Sequence, residues 1–213
     1  MGATCKPVIF IRKGKMRNYS KFSRRAFAAF IGIMLVAQPM SAKLSDHLSF
    51  FGVKQADDVQ FKDWKKASSK EGRCSASFPK TPETIKQKVP MKGEEKELQY
   101  YVYVADFDRK AVFMMLIAEY PGIVSEENAV KNLEHFLNTL IAQNPNNKLL
   151  FADLVDVNGF PGMDFFIQSD QIYFKGRAIQ ANNTLYLLAM ECEIVNYHED
   201  HCQYFIESFQ LDK

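Results

Sequence analysis

The sequence predicts an α+β fold in which one amphipathic helix packs on a β-sheet. Three observations predict it: a strongly amphipathic segment from Ser125 to Ala142, strand-like runs on both sides of that segment, and a second helical pattern near the end of the chain. A helix with one apolar stripe must bury that stripe against another element, and the flanking runs supply a sheet for this purpose.

The central helix has a start signal, an apolar stripe and a stop signal. Ser125 is placed to cap the N-terminus, and Glu126 and Glu127 put negative charge at the positive end of the helix dipole. The turn-forming sequence from Asn144 to Asn147 ends the helix. The apolar residues recur at three- and four-residue intervals and so share one face: Ala129, Val130, Leu133, Phe136, Leu137, Leu140 and Ile141.

The segments before this helix have the pattern of strands and turns. Residues 73–78 read as the first strand, and residues 83–89 read as a half-exposed edge strand whose lysines discourage edge-to-edge pairing. Residues 98–107 and 111–120 form a predicted β-hairpin. Residues 113–117 contain no polar side chain, which is typical of a strand that is covered on both faces.

The segments after the helix repeat this pattern and end in a second helix. Strands are predicted at residues 148–157, 163–167, 172–180 and 184–194, with a glycine-containing turn at residues 158–162. The last helix is predicted at about residues 197–209, because Cys202, Phe205, Ile206 and Phe209 share a face at helical spacing.

The N-terminal region has the composition of an export signal. Residues 1–42 hold eight of the 27 basic residues and no acidic residue, and the basic block leads into twelve apolar residues, from Ala26 to Ala37. That run is too short to span a bilayer, which needs about 20 residues, but it suits a signal peptide. We expect cleavage after Ala42, an irregular N-terminal arm at residues 43–63, and a single domain at residues 64–213. An uncleaved N-terminal anchor is the alternative.

The predicted mature chain is acidic. Once residues 1–42 are removed, 25 acidic residues remain against 19 basic residues, which gives a net charge of −6. Binding to nucleic acid requires clustered Lys and Arg, and the mature chain has no basic stripe, so nucleic acid is excluded as a partner class. No stable insertion into a membrane is expected after cleavage.

The cysteines and histidines near the C-terminus are the candidate site residues. Cys74, Cys192 and Cys202 remain after export, and in an oxidising compartment a disulfide between Cys192 and Cys202 would close a short loop. The alternatives are three buried thiols, or a metal site formed by His198, His201, Cys192 and Cys202. The spacing of these four residues matches no standard zinc module, so no native metal site is predicted.

No motif in the chain indicates catalysis. There is no Gly-x-Ser-x-Gly elbow, no phosphate-binding loop and no dinucleotide fingerprint. Asp153, Asp156 and Asp164 lie near one turn, and paired carboxylates can do acid–base chemistry, but these residues are read as solvated strand ends. The sequence predicts no catalytic residue and no cofactor.

Several landmarks follow one another in a characteristic order between residues 64 and 211: Trp64, Gly72, Phe78-Pro79, Thr81-Pro82, residues 159–165, residues 183–188 and residues 205–209. That order resembles the PsbP-like group of small proteins from bacterial envelopes and thylakoid lumens. It implies an antiparallel sheet of about six to eight strands with the central and C-terminal helices packed on it. It also implies an accessory or assembly role more than catalysis, and it carries no catalytic residues over to this chain.

The function that we expect is that of an exported, soluble, non-enzymatic binding or accessory protein of the cell envelope, either periplasmic or secreted. Its protein partner or small ligand is not identified by the sequence. One alternative is a secreted or surface protein that contacts a host or a neighbouring cell. The other is a metal-dependent hydrolase that uses the corner formed by His198 and His201.

Overall fold

The computed structural model describes residues 61–90, 97–120 and 124–212. The predicted signal peptide at residues 1–42, its cleavage after Ala42, and most of the predicted arm at residues 43–63 lie outside these residues. Within them no helix has the length and the apolar character needed to cross a membrane.

The described part of the chain is mainly antiparallel sheet with two α-helices. The strands are β1 (Lys65–Ser69), β2 (Cys74–Phe78), β3 (Glu83–Pro90), β4 (Glu97–Phe107), β5 (Ala111–Glu119), β6 (Asn147–Val157), β7 (Phe160–Ser169), β8 (Ile172–Ala181), β9 (Thr184–Glu193) and β10 (Gln210–Leu211). The helices are α1 (Glu126–Ala142) and α2 (Glu199–Glu207), and a 3₁₀ turn at Ile194–Asn196 precedes α2.

Seven strands form one sheet in the order β3-β4-β5-β9-β8-β7-β6, and β1, β2 and β10 form a second sheet in the order β1-β2-β10. Every pairing is antiparallel. The strands with the most continuous apolar sequence, β5 and β9, lie in the middle of the large sheet, where both faces are covered. The strands with alternating or mixed sequence, β3 and β6, are its two edges.

Alternate residues of the central strands point to opposite faces of the sheet and belong to two separate hydrophobic cores. On one face, α1 packs against β6, β7 and β8, and its Leu133 and Phe136 join a core that also contains Leu187 and Phe165. On the opposite face, α2 and the small sheet bury a second core, in which Phe205 of α2 is fully enclosed. The predicted two-sided burial of residues 113–117 is therefore confirmed, because Phe113 belongs to the second core while Leu116 belongs to the first.

The helix prediction is confirmed with one correction at its N-terminus. Helix α1 begins directly after Ser125 and ends at Ala142, and the predicted stripe is buried or half-buried. The Ser125 hydroxyl makes no capping bond to the backbone; it accepts a hydrogen bond of 2.8 Å from the Asn128 side chain, while the Asn128 N–H donates to the Ser125 carbonyl. The helix start is therefore held by a backbone turn and a side-chain pair.

The structure corrects four further details of the predicted secondary structure. Strand β1 precedes the predicted first strand, and β10 and the small sheet were not predicted. Helix α2 is shorter than residues 197–209, because the chain first makes a 3₁₀ turn. The turn predicted at residues 158–162 is limited to Asn158 and Gly159, both at positive φ, and Gly162 lies within β7.

Candidate binding surface

Edge strand β6 exposes a group of large apolar side chains. Leu149, Leu150, Phe151 and Leu154 retain 38%, 48%, 46% and 51% of their surface, and we name these four residues the β6 edge surface. They follow directly from the local sequence, because Leu149-Leu150-Phe151 is a continuous apolar run on a strand that, among the described residues, has a neighbour on one side only. A cluster of exposed apolar residues of this kind indicates an interaction site more often than scattered single residues do.

The opposite edge of the same sheet is built differently. Strand β3 exposes Lys86 and Lys88 and ends in Pro90, and charged side chains and proline are the usual means by which a sheet edge resists pairing with another chain. This confirms the prediction of an edge strand at residues 83–89. On β6 the only basic residue is Lys148, and the strand contains no proline. One edge is therefore protected against pairing and the other is much less so.

A β-bulge divides the exposed strand. The pairing of β6 with β7 shifts between Leu149 and Phe151, so that Leu150 is the extra residue of the bulge. Bulges bend a strand and alter its twist, and they are frequent at sheet edges and next to functional sites. From Phe151 to Val157 the pairing with β7 is regular.

A charged row crosses the sheet from this edge inward. Asp153 of β6 lies opposite Asp164 of β7, and Asp164 lies opposite Arg177 of β8. The Arg177 guanidinium donates two hydrogen bonds to the Asp164 carboxylate, with N–O distances of 2.5 and 2.8 Å. This two-point geometry is the strong form of the ion pair. The Asp164 carboxylate is therefore neutralised within the chain, while Asp153 stands exposed beside it.

Half-buried aromatic rings continue the surface on the side of the sheet opposite α1. The ring of Phe166 stacks on Tyr197 at a centroid distance of 5.3 Å, and Tyr173 meets both rings edge-on. The Lys175 ammonium lies over Phe166 at 5.4 Å and pairs with Glu199 at the start of α2. These contacts fix the orientation of the three rings. Phe151 of β6 lies opposite Phe166 and therefore on the same face of the sheet as these rings.

The four candidate metal ligands, His198, His201, Cys192 and Cys202, are not assembled into one site. The rings of His198 and His201 are 5.1 Å apart, but the side chains of Cys192 and Cys202 are buried in the core between the two sheets. In residues 61–90, 97–120 and 124–212, no three His, Cys, Asp or Glu side chains gather as metal ligands would. His201 instead packs edge-on against Phe61 and Phe107. Burial lowers the pKa of its imidazole, and His198 lowers it further.

Within the described residues, Cys74, Cys192 and Cys202 are buried free thiols, and no disulfide joins Cys192 to Cys202. Cys202 is on the buried face of α2 and Cys192 is on β9, and each fills its own place in the second core. Burial raises the pKa of the Cys74 thiol to about 12 and that of the Cys192 thiol to about 11. A thiol reacts as its thiolate, so these residues behave as small apolar side chains near neutral pH.

Two of the three aspartates near the β6–β7 turn, Asp156 and Asp164, have structural roles. The Asp156 carboxylate accepts a 3.0 Å hydrogen bond from the Gly159 N–H and so closes the turn. Asp153 and Asp156 lie opposite Asp164 and Pro161, which are on different faces of the sheet. The structure therefore brings Asp153 next to Asp164 and leaves Asp156 apart from both. Sequence spacing could not reveal the Asp153–Asp164–Arg177 row, because it depends on the register between three strands.

Glu191 is a residue that the sequence did not single out. It lies on β9 opposite Val112 and Phe174, and burial alone raises the pKa of its carboxyl to about 7. A raised carboxyl pKa is a property that acid–base groups share. Here an apolar environment accounts for it, since no charged neighbour contributes to the shift.

Comparison with known proteins gives a structural likeness. No protein-family model matches the sequence, and no curated protein sequence matches it. The solution structure of a cyanobacterial PsbP, CyanoP from Synechocystis, matches with a TM-score of 0.51 and 12% identity, covering 75% of this chain and 98% of that chain. A Pseudomonas aeruginosa protein of unknown function gives a TM-score of 0.33 with 11% identity, over 62% of this chain and 85% of that one. The described part of the chain therefore has a PsbP-like fold.

Proposed function

We propose that this chain is an exported, non-enzymatic binding or accessory protein of the cell envelope, and that it binds a polypeptide through the β6 edge surface. The observation that carries the proposal is the exposure of Leu149, Leu150, Phe151 and Leu154 on a sheet edge. An exposed edge strand offers unpaired backbone N–H and C=O groups together with alternate side chains, which are the two elements of recognition by strand addition.

The chemistry of the buried groups supports binding rather than catalysis. The thiols of Cys74 and Cys192 have pKa values raised by burial, so neither is an activated nucleophile. The Asp164 carboxylate is held by Arg177 in a two-point ion pair. The PsbP-like sheet, with a helix packed on each face, serves in this proposal as the α+β scaffold that holds the edge strand in place.

Export is the second part of the proposal, and it rests on the basic and apolar leader in residues 1–42. We propose that cleavage after Ala42 releases a soluble chain with a net charge of −6. A secreted or surface protein that contacts a host or a neighbouring cell would use the same leader and the same edge strand. The compartment in which the processed chain accumulates distinguishes these two roles.

Site-specific photo-crosslinking tests the binding role. A photo-reactive amino acid at Leu154 of β6 should give a covalent adduct with a polypeptide in intact cells, whereas the same group at Gln87 of β3 should give little. Both positions are exposed and lie on edge strands, so Gln87 is a matched control. Equal adduct yields at the two positions, or no adduct at Leu154, would contradict the proposal.

Mass spectrometry of the processed protein tests export. The chain recovered from the periplasm or the culture medium should begin at Lys43, the residue after the predicted cleavage position. Replacing Ala42 with a large residue should slow processing, because signal cleavage requires small residues at the cut. A chain that stays in the cytoplasm with residues 1–42 intact would overturn this part of the proposal.

A further inference from the structure

We propose that β6 pairs with β6 of a second copy of this chain, antiparallel and about a two-fold axis perpendicular to the sheet. The two seven-stranded sheets would then join into one continuous sheet. This inference rests on the proposed role of the β6 edge surface and names the polypeptide that it binds. It follows from how side chains are distributed along β6, from the charges on that strand and from the exposed area.

The pairing with β7 assigns each residue of β6 to a face. Leu149, Ala152 and Leu154 lie opposite Ile167, Phe165 and Met163, which belong to the core under α1. Lys148, Phe151 and Asp153 lie opposite Gln168, Phe166 and Asp164, and therefore on the other face. The extra residue Leu150 is what allows Leu149 and Ala152, three positions apart, to share a face.

A two-fold axis perpendicular to the sheet keeps the α1 faces of the two copies on the same side of the joined sheet. Only registers that pair residues of the same face are therefore allowed. In one of them Phe151 lies on the axis and meets Phe151 of the second copy. Leu150 is the extra residue of the bulge and takes no place in the pairing, so the next residues on either side of Phe151 are Leu149 and Ala152. That register therefore sets Leu149 opposite Ala152, which is on the same face. It also sets Lys148 opposite Asp153, which is on the other face, so that apolar residues meet apolar residues and opposite charges meet.

The charges favour a copy of this chain as the occupant. Asp153 faces Asp164 within its own chain, and Arg177 already neutralises Asp164. Asp153 is therefore the exposed charge at the edge of this row, and opposite charges placed directly across a strand pair stabilise it. In the register described above, Lys148 of the second copy lies opposite Asp153 and on the same face of the sheet. Because the only basic residue of the strand, Lys148, is its second residue and both aspartates lie in its second half, antiparallel self-pairing matches opposite charges twice.

Self-pairing also covers apolar surface that otherwise faces water. Leu150, Phe151 and Leu154 each retain about half of their surface. The axis at Phe151 brings Leu149, Phe151 and Ala152 of each copy against the same residues of the other, so this part of the strand loses its contact with water. Removal of apolar surface from water is the main favourable term in such an association.

Charge-reversal variants of the full chain, processed as in its own cell, test the inference by sedimentation equilibrium. The wild type should show a reversible monomer–dimer equilibrium. Lys148→Asp and Asp153→Lys should each weaken self-association on the order of tenfold, because like charges then meet twice across the axis. The matched control Lys88→Asp, on edge strand β3, should leave the dissociation constant unchanged.

The decisive sample is an equimolar mixture of the two single variants. Lys148→Asp carries two aspartates at the paired positions, and Asp153→Lys carries two lysines there, so each repels itself and attracts the other. We expect heterodimers to form as tightly as the wild-type dimer. A wild type that stays monomeric, or a mixture that associates no better than its components, would overturn the inference.

The crosslink at Leu154 separates the failure of this inference from the failure of the proposed function. An adduct of twice the chain mass supports self-pairing. An adduct with a different protein, from a chain that is monomeric by sedimentation, overturns self-pairing and leaves the binding role standing. An adduct within a single chain overturns both, because the edge would then be covered by another segment of its own chain.

Discussion

Two buried tyrosine hydroxyls on the large sheet have opposite surroundings. The Tyr186 hydroxyl donates a 2.9 Å hydrogen bond to the buried Gly72 carbonyl and so links β9 to the loop before β2. The Tyr100 hydroxyl on β4 is buried without a hydrogen-bond partner among the described residues. Tyr186→Phe should lower the free energy of unfolding by about 1–3 kcal/mol, because it leaves the Gly72 carbonyl unpaired. Tyr100→Phe should cost nothing.

Urea denaturation of the two variants measures this difference. They remove the same atom from the same residue type in the same sheet, so each is the control for the other. Equal losses of stability would mean that the Gly72 contact contributes nothing beyond what any buried hydroxyl does.

The Glu191 carboxyl makes stability depend on pH in a defined direction. Burial raises its pKa in the folded chain from 4.5 to about 7. Between these values the folded state keeps a proton that the unfolded state has lost, so the contribution of Glu191 to stability falls as pH rises through 7. Glu191→Gln should remove this pH dependence and raise the free energy of unfolding at pH 8 by about 1–3 kcal/mol relative to the wild type. Thermal unfolding of both proteins from pH 4 to pH 8 measures this difference.

The stability difference between the two proteins at pH 8 should be absent at pH 4, where the wild-type carboxyl is protonated in both states. A constant difference across this range would show that Glu191 affects stability through packing and not through its charge.

At the scale of single elements, strand β8 requires glycine at one position. A Cβ at Gly176 would lie 2.3 Å from the backbone oxygen of Leu188 on neighbouring β9, and a backbone in the middle of a sheet cannot move away. Gly176→Ala should therefore destabilise the chain by about 1–3 kcal/mol or more. Gly72→Ala is the comparison, because its nearest contact, at 2.6 Å, is the flexible end of Ile117. A larger loss at Gly72 in chemical denaturation would contradict this account.

The elements with a strong period could be predicted from the sequence. Helix α1 and the β4–β5 hairpin were predicted within one or two residues, because their apolar spacing dominates any local preference. Strand β1 has the sequence Lys-Lys-Ala-Ser-Ser, which has no apolar alternation, and it is a strand because β2 pairs with it. Strand β10 has two residues and likewise depends on β2. Tertiary pairing of this kind leaves no local signal.

The β6 edge surface could not be predicted from the sequence, because it also depends on tertiary pairing between strands. Residues 148–157 were predicted as a strand, but their place at the edge of the sheet depends on strand order, which the sequence does not contain. The partnership of Asp164 with Arg177 likewise needs the β7–β8 register. The sequence instead favours Cys192, Cys202, His198 and His201 as candidate site residues, because they are close in sequence. In the structure the two cysteines point into a core and His201 joins an aromatic cluster.

At the scale of the whole molecule, the large sheet is asymmetric in its edges. Both faces carry an apolar core, one under α1 and one under α2 and the small sheet. Of the two edges, β3 presents lysines and β6 presents leucines and a phenylalanine. Since a protein that needed no partner would gain from protecting both edges, this asymmetry is the feature on which the proposed function rests.

Amide hydrogen exchange along the two edge strands tests this claim most directly. Exchange at residues 147–157 and 83–90 is measured in concentrated protein with its cell-envelope extract, and again after purification and dilution. A bound edge is protected because its outward N–H groups are paired. We predict that residues 147–157 lose protection on dilution while residues 83–90 do not change. If both strands exchange alike under both conditions, β6 is not the binding surface.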